Sequence, residues 1–190
     1  MIIFISGGSK SGKSRIGESF SKTLHKEGDL YYLATMKPMG NEDIRKIENH
    51  KKDRIGTSFK AVEINYNIEK AGEFLKEEDT VLLDSITSLV ANEMFKGELL
   101  LEEEDIEKKV SKKIFKEVEN LSLKVRNLII VSDYIFSDSL IYDPITENYK
   151  RELGNINTGL SKLSDISIYV SYGVMEIFKG KEFLENEGLI

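Results

Sequence analysis

A glycine-rich stretch near the start of the chain has the residue types and the spacing of a phosphate-binding loop. Residues 7–14 fit the pattern G-x-x-x-x-G-K-[ST]. Glycines allow a backbone in which consecutive N–H groups turn towards a phosphate, and a following helix adds its positive end. Lys13 could then reach the β- and γ-phosphates, while the Ser14 hydroxyl could ligate Mg²⁺. The residues of this predicted nucleoside triphosphate site, called the P-loop below, are Gly7, Gly8, Ser9, Lys10, Ser11, Gly12, Lys13 and Ser14.

Two aspartates follow apolar runs and could complete a magnesium site. Asp84 comes after residues 81–83, and Asp133 comes shortly after residues 128–131. In open α/β sheets, ligands bind beyond the carboxyl ends of the strands. We therefore expect Asp84 to be the second magnesium contact, through a water molecule, with Asp133 as a further candidate. The alternative for Asp84 is a turn or helix-capping role.

A basic cluster surrounds one of the two histidines, within residues 41–54, NEDIRKIENHKKDR. An imidazole is a capable nucleophile towards phosphorus, and basic neighbours would neutralise a phosphate. On these residues alone, His50 has the simpler interpretation of an exposed surface histidine, while Arg45 could either contact a phosphate or be a solvated helix residue. His25 lies near the end of the first predicted helix, where a cation favours the helix dipole, so we expect a structural role for it.

The elements that must position these residues are indicated by short apolar runs separated by amphipathic stretches. The runs cover residues 2–5, 30–33, 81–83, 128–131 and 166–170, with a possible edge strand over 174–178. Most are continuous rather than alternating, which is typical of strands covered on both faces of a parallel sheet. Helices are predicted over 15–26 and 102–125, and both prolines, Pro38 and Pro144, are predicted to lie in loops. Strands that alternate with helices predict an α/β fold.

The length and composition of the chain exclude several classes of protein. The chain has 190 residues, which favours a single domain over 1–190. Its net charge of -6 gives no basic field for nucleic acid, and the absence of cysteine excludes disulfides and thiolate chemistry. No apolar run approaches the roughly 20 residues of a membrane span, and the first strand runs directly into glycines rather than a signal peptide. We therefore expect a cytoplasmic protein.

Further motifs, in order along the chain, resemble one enzyme family. Residues 32–35 read Tyr-Leu-Ala-Thr, and residues 47–54 match the pattern I-x-x-H-K-x-x-R. Phe59 is followed four residues later by Glu63, and Asp84 precedes Ile-Thr-x-x-Val-x-Asn. Together with the P-loop, these motifs resemble the bifunctional adenosylcobinamide kinase/adenosylcobinamide-phosphate guanylyltransferases of cobalamin biosynthesis. The chain departs from the family at residues 132–141, where T-N-E-V-G-x-G-x-V-P is usual.

The resemblance implies a fold, an assembly and two activities. The fold is the three-layer α/β fold of P-loop NTPases, with a RecA-like, mainly parallel sheet flanked by helices, and the assembly is a homotrimer. The kinase would move the γ-phosphoryl group of ATP or GTP to adenosylcobinamide, with Mg²⁺ held by Ser14 and Asp84. The guanylyltransferase would use His50 to attack GTP and would then guanylylate adenosylcobinamide phosphate. The resemblance also implies nucleotide-binding roles for Lys51, Arg54 and Glu63.

Two other functions remain open on the sequence. The chain could be a P-loop kinase for another small molecule, in which case His50 would carry no guanylyl group. It could instead be a regulatory protein that binds nucleotide and has lost one or both activities through the altered residues 132–141.

Overall fold

The computed structural model of the protein describes residues 1–37, 58–95 and 110–190. Within these residues, the strands are β1 (Ile2–Gly7), β2 (Leu30–Ala34), β3 (Phe59–Glu63), β4 (Thr80–Asp84), β5 (Asn127–Asp133), β6 (Ile166–Ser171) and β7 (Val174–Lys179). The helices are α1 (Lys13–Leu24), α2 (Ile86–Met94), α3 (Val110–Ser122), α4 (Pro144–Leu163) and α5 (Lys181–Asn186), with a 3₁₀ helix at Ile68–Glu73.

The strands form one sheet in the order β3-β2-β4-β5-β1-β6-β7. All neighbouring pairs are parallel except β6 and β7, which are antiparallel. The predicted α/β fold with a mainly parallel sheet is therefore confirmed, including the edge strand near the end of the chain. The sequence analysis did not predict β3, the strand at the other edge.

Helices cover both faces of the sheet and form two hydrophobic cores. On one face, α2, α3, α4 and the 3₁₀ helix pack against side chains such as Leu83 and Ile130. On the other face, α1 and α5 pack against residues such as Ile3 and Ile129. Because successive residues of a strand point to opposite faces, a strand buried on both sides needs a continuous apolar run. This is why the runs in the sequence located these strands.

Two predicted local features differ from the structure. The first helix begins at Lys13 rather than residue 15, immediately after the glycines. The prediction of a loop at Pro144 is wrong, because this proline is the first residue of α4. Proline fits there since its missing N–H would have no partner within the helix. The Asp143 side chain caps the same end by accepting from the N–H groups of Ile145 at 3.0 Å and Thr146 at 3.1 Å.

The long helix predicted over 102–125 is described from Val110 onwards. It ends at Ser122 rather than at residue 125, and its apolar residues Ile114, Val118 and Leu121 are buried. Residues 102–109 and Pro38 lie outside the described residues. No helix in the described ranges is long and apolar enough to cross a membrane.

The register of the sheet brings the chemically important strand ends to one edge. Gly7 of β1 lies beside Asp133 of β5, and Ala34 of β2 lies between Asp84 of β4 and Glu63 of β3. This carboxyl edge is where an open α/β sheet binds its ligands.

Candidate active site

The P-loop connects β1 to α1 in a shape that requires glycine at its two ends. Gly12, just before α1, has a φ of 98°, which a residue with a Cβ atom rarely adopts. A Cβ atom on Gly7 would overlap the carbonyl oxygen of Val170 and lie 2.7 Å from Ser11 Oγ. The glycines of the motif are therefore explained by backbone conformation at one end and by the close approach of β6 at the other.

The loop also contains a buried polar atom that is suited to a ligand. Ser11 Oγ is buried and makes no hydrogen bond within the described ranges of the chain. Buried polar atoms are nearly always hydrogen-bonded, so an exception calls for a partner. A phosphate oxygen held by the loop has the chemistry to be that partner.

Lys13 folds back over the loop, as its proposed contact with phosphates requires. Its Nζ atom donates to the carbonyl oxygen of Gly8 at 3.1 Å and lies 2.5 Å from Oδ1 of Asp133. The lysine side chain is 10% exposed and that of Asp133 is 28% exposed. The structure thus brings Asp133, the further candidate from the sequence, into direct contact with the P-loop lysine.

Asp84 lies at the end of β4, one strand further from β1 than Asp133. Its Oδ2 atom accepts a hydrogen bond of 2.6 Å from the hydroxyl of Tyr32. The side chain that caps α2 is Ser85, whose Oγ accepts from the N–H of Ser88 at 3.3 Å. The alternative helix-capping role of Asp84 is therefore filled by its neighbour.

A hydrogen-bond network holds the end of β5, and with it Asp133. The N–H of Asp133 donates to Thr87 Oγ1 at 2.7 Å, and Asn157 Nδ2 donates to the carbonyl oxygen of Asp133 at 3.3 Å. Ser132 Oγ donates to Asn157 Oδ1 at 2.7 Å, and the Tyr149 hydroxyl donates to the carbonyl oxygen of Thr87 at 3.2 Å. Burial, with a contribution from the negative charge of Asp133, raises the pKa of Tyr149 to about 12.

Sequence reasoning did not identify this network. Thr87 belongs to the motif that follows Asp84, but only the fold shows that Thr87 and Asn157 both support Asp133. Tyr149 carried no sequence signal, because a tyrosine within a helical segment is common in protein cores.

Two other motif residues have structural roles. Asn92 Nδ2 donates to the carbonyl oxygens of Thr35 at 2.7 Å and Asn65 at 3.1 Å. Thr35 is buried, and its hydroxyl donates to the carbonyl oxygen of Ser85 at 2.7 Å. These contacts join the segments that follow β2, β3 and β4, and so they fix the carboxyl edge beside Asp84.

The remaining predicted site residues are not brought to the P-loop by the described structure. Glu63 ends β3 at the same edge, but β2, β4 and β5 separate β3 from β1, a distance of about 19 Å at the usual strand spacing. Arg45, His50, Lys51 and Arg54 lie outside the described residues. His25 follows the last residue of α1, which puts it at the opposite end of that helix from the P-loop.

The residues at the carboxyl edge fit a magnesium ion bound together with a nucleotide. The Ser14 hydroxyl and the Asp84 carboxylate are hard oxygen ligands, which Mg²⁺ prefers. Among the described residues, no three His, Cys, Asp or Glu side chains are grouped to hold a metal ion. A magnesium ion here would thus take its other ligands from phosphates and water, as it commonly does in nucleotide sites.

Comparison with solved structures identifies the fold. A KaiC-like protein from Pyrococcus horikoshii matches with a TM-score of 0.50 and 15% identity, over 95% of this chain and 79% of that chain. The flagellar accessory protein FlaH from Methanocaldococcus jannaschii matches with a TM-score of 0.39 and 14% identity, over 94% of this chain and 77% of that chain. The chain has the three-layer fold of P-loop ATPases. Comparison with curated proteins gives no match.

Comparison with protein-family models identifies the family. The model that describes cobinamide kinase / cobinamide phosphate guanyltransferase matches residues 3–176. The match includes the P-loop, both strand-end aspartates and the basic segment around His50. The chain therefore belongs to the cobinamide kinase / cobinamide phosphate guanyltransferase family.

Proposed function

We propose that this protein phosphorylates adenosylcobinamide and then guanylylates the product, with ATP or GTP as phosphoryl donor and GTP as guanylyl donor. The observation that supports this most directly is the position of Lys13, buried between the Gly8 carbonyl and Asp133 in a strand–loop–helix unit. A chain of this family with that arrangement has the parts for transferring phosphoryl groups.

In the kinase reaction, the P-loop N–H groups and Lys13 bind the β- and γ-phosphates. Ser14 and Asp84 would hold Mg²⁺, which would supply positive charge next to the transferring group. The substrate hydroxyl attacks the γ-phosphorus and gives up its proton to water, a new O–P bond forms, and the β–γ bridging bond breaks to release the nucleoside diphosphate. Lys13 contributes by stabilising charge on the transferring group.

In the guanylyl transfer, His50 attacks the α-phosphorus of GTP. A P–N bond forms, pyrophosphate leaves, and the enzyme carries a guanylyl-histidine. The phosphate of adenosylcobinamide phosphate then displaces the histidine. Lys51 and Arg54 neutralise phosphate charge, and Glu63 binds the nucleotide at the outer part of the carboxyl edge.

We also propose that the protein acts as a homotrimer in the cytoplasm. A trimer would allow the segment around His50 to contribute to a neighbouring subunit's site. Sedimentation of the purified protein tests the assembly independently of either activity.

A second candidate function is favoured by the segment after β5. Residues 134–143 form an irregular connection from β5 to α4, and this connection contains most of residues 132–141, which depart from the usual family pattern. If this change removed the acceptor site, the protein would be a kinase for another small molecule or a nucleotide-binding regulator.

Intact-mass spectrometry after incubation with GTP and Mg²⁺ tests the guanylyl step. We expect the wild type to gain the mass of one guanylyl group, which is GMP less one water, and the His50→Ala variant to gain none. His25→Ala is the matched control, because it removes the chain's other histidine from the far end of α1. Adding adenosylcobinamide phosphate should discharge the adduct.

The kinase step needs its own measurement, namely transfer of labelled γ-phosphate from ATP to adenosylcobinamide. Transfer without any GTP adduct would support a kinase alone. GTP binding with neither adduct nor transfer would support the regulatory function and contradict the proposal.

A further inference from the structure

The hairpin between β6 and β7 ends in a turn whose first central residue is unusual. Ser171 pairs with Val174, so Tyr172 and Gly173 form the turn. Their φ angles are 52° and 79°, both in the left-handed region. Turns with positive φ at both central positions favour asparagine, aspartate or glycine at the first one. The turn itself therefore gives no reason for a tyrosine, and a bulky residue in this region is a reason to look for a function.

This turn is fixed against the P-loop. The N–H of Gly173 donates to the carbonyl oxygen of Ser11 at 2.9 Å. A Cβ atom on Gly12 would lie 3.7 Å from the Cα atom of Gly173, so the two backbones are nearly in contact. Tyr172 is thus held next to the loop that binds phosphates.

Tyr172 contributes little to the packing of the fold. It is 99% exposed, whereas Tyr169, three residues earlier on β6, is partly buried and packs edge-on against Tyr134 at 5.5 Å. A large aromatic side chain that remains in water gains none of the burial energy that usually explains such a residue. Its position beside the P-loop is the feature that remains to be explained.

The sheet order indicates which part of a nucleotide would lie near Tyr172. Lys13, which reaches the terminal phosphates, contacts Asp133 on β5, and Asp84 lies beyond it on β4. The terminal phosphates therefore face the β5 and β4 side of β1. The nucleoside end of a nucleotide that extends across the loop then lies on the opposite side of β1, where β6, β7 and their turn lie.

We propose that Tyr172 is the nucleobase contact of the P-loop, and that its ring stacks on the base of the bound ATP or GTP. The inference rests on the proposed function only in requiring that the P-loop binds a nucleoside triphosphate. Stacking on an aromatic ring tolerates any base, because every base has a π-face. The contact thus suits a loop that accepts either nucleotide.

Equilibrium binding of Mg-ATP, of the Mg²⁺ complex of α,β-methylene-GTP, which cannot transfer a guanylyl group, and of Mg-tripolyphosphate to three proteins tests the contact. Tyr172→Asn removes the ring but retains a residue that the left-handed turn favours. Tyr172→Phe retains the ring, and the wild type is the reference. We expect Tyr172→Asn to weaken binding of both nucleotides by about 5- to 150-fold, the usual range for losing one base–aromatic stack. Tripolyphosphate, which has no base, should bind all three proteins equally.

Comparing the nucleotides with tripolyphosphate distinguishes the different ways in which the stacking proposal could be wrong. If Tyr172→Asn binds both nucleotides as the wild type does, Tyr172 is not the base contact, whatever the enzyme catalyses. If it loses tripolyphosphate affinity as well, the change acts through the P-loop and the stacking proposal is overturned. If the wild type binds tripolyphosphate no more weakly than either nucleotide, no base contact exists. A loss confined to the nucleotides supports the contact even where no cobinamide reaction is detected.

Discussion

The P-loop and the segment after β5 are neighbours at the same edge of the sheet, but they are held in place by different means. The N–H of Tyr134 donates to the carbonyl oxygen of Gly7 at 2.8 Å, so the two meet directly. The P-loop is shaped by its backbone, through glycine conformation and the close approach of β6. Residues 134–143, which we call the post-β5 loop, are held by side chains. Tyr134 and Phe136 pack edge-on at 5.4 Å, and Lys150 of α4 bonds to Asp138 at 3.2 Å.

This difference explains why one region follows the family pattern and the other departs from it. A site made by backbone groups tolerates few sequences, because only glycine fits its conformations and close contacts. A loop held by side chains can exchange one set of contacts for another while the strand and helix beside it stay in place. The P-loop is thus the constrained part of this edge, and the post-β5 loop is the part whose sequence can vary.

The largest effect is expected from removing the P-loop lysine. Lys13→Ala should lower kcat for phosphoryl transfer by about 100- to 1,000-fold, since one preorganised charge on the transferring group is lost. Steady-state transfer from labelled ATP to adenosylcobinamide measures this. Lys22→Ala is the control, because it removes a lysine from the last turn of the same helix. A Lys13→Ala enzyme within tenfold of the wild-type rate would show that the P-loop does not serve the reaction.

Alanine substitutions at two adjacent glycines test whether close backbone packing restricts which residues the P-loop can contain. Gly7→Ala should cost about 3 kcal/mol of unfolding free energy, because the new methyl group meets the Val170 carbonyl, which the sheet holds in place. Gly8→Ala is the matched control, since a Cβ atom there has nothing within 4 Å, and it should change stability by less than about 0.5 kcal/mol. Urea unfolding followed by circular dichroism measures both. Equal losses in the two variants would contradict the packing explanation.

The post-β5 loop should respond differently from the P-loop. Phe136 is half-buried against the core and against Tyr134, so Phe136→Ala should cost about 2 kcal/mol, less than a fully buried phenylalanine. We expect a raised KM for adenosylcobinamide and an unchanged Kd for nucleotide. Leu140→Ala, in the same loop and 64% exposed, should leave stability unchanged. If Phe136→Ala weakened nucleotide binding as much as it weakened adenosylcobinamide binding, the post-β5 loop and the P-loop could not be assigned separate effects.

Much of the fold could be predicted from the sequence, because strands buried on both faces leave continuous apolar runs. The exception, β3, is an edge strand in which Lys60, Ala61 and Glu63 are exposed. With only Phe59 and Val62 partly buried, it has neither a continuous apolar run nor strict alternation. The prediction of a loop at Pro144 fails because proline disrupts the interior of a helix but fits its first residue.

The sequence indicates which residues belong to the candidate site, but it does not indicate which of them contact each other. Both Asp84 and Asp133 follow apolar runs, and nothing in the sequence says which strand lies beside β1. The order of the sheet, with β5 next to β1, decides that Asp133 contacts Lys13. The role of His50 stays a prediction. The exposed tyrosine at the tip of the β6–β7 turn has no motif, and the structure is needed to show the hydrogen bond from Gly173 to Ser11 that joins this turn to the P-loop.

The smallest effect is expected at the contact that supports Asp133 from α4. Tyr149→Phe removes the hydrogen bond to the carbonyl oxygen of Thr87 and should cost about 1 kcal/mol at pH 8. The pKa of Tyr149 is raised to about 12 in the folded protein, from about 10 in the unfolded chain. Its contribution is therefore complete below pH 10 and is lost as the pH rises towards 12.

Urea unfolding of both proteins at pH 8, 10 and 11 should therefore show a difference in stability that shrinks at the highest pH. The titration of lysines is common to the two proteins and cancels in the comparison. A difference that stays constant from pH 8 to pH 11 would mean that Tyr149 ionises normally. If the two proteins were equally stable at pH 8, the support of Asp133 by α4 would come from Asn157, whose side chain bonds to both Ser132 and Asp133.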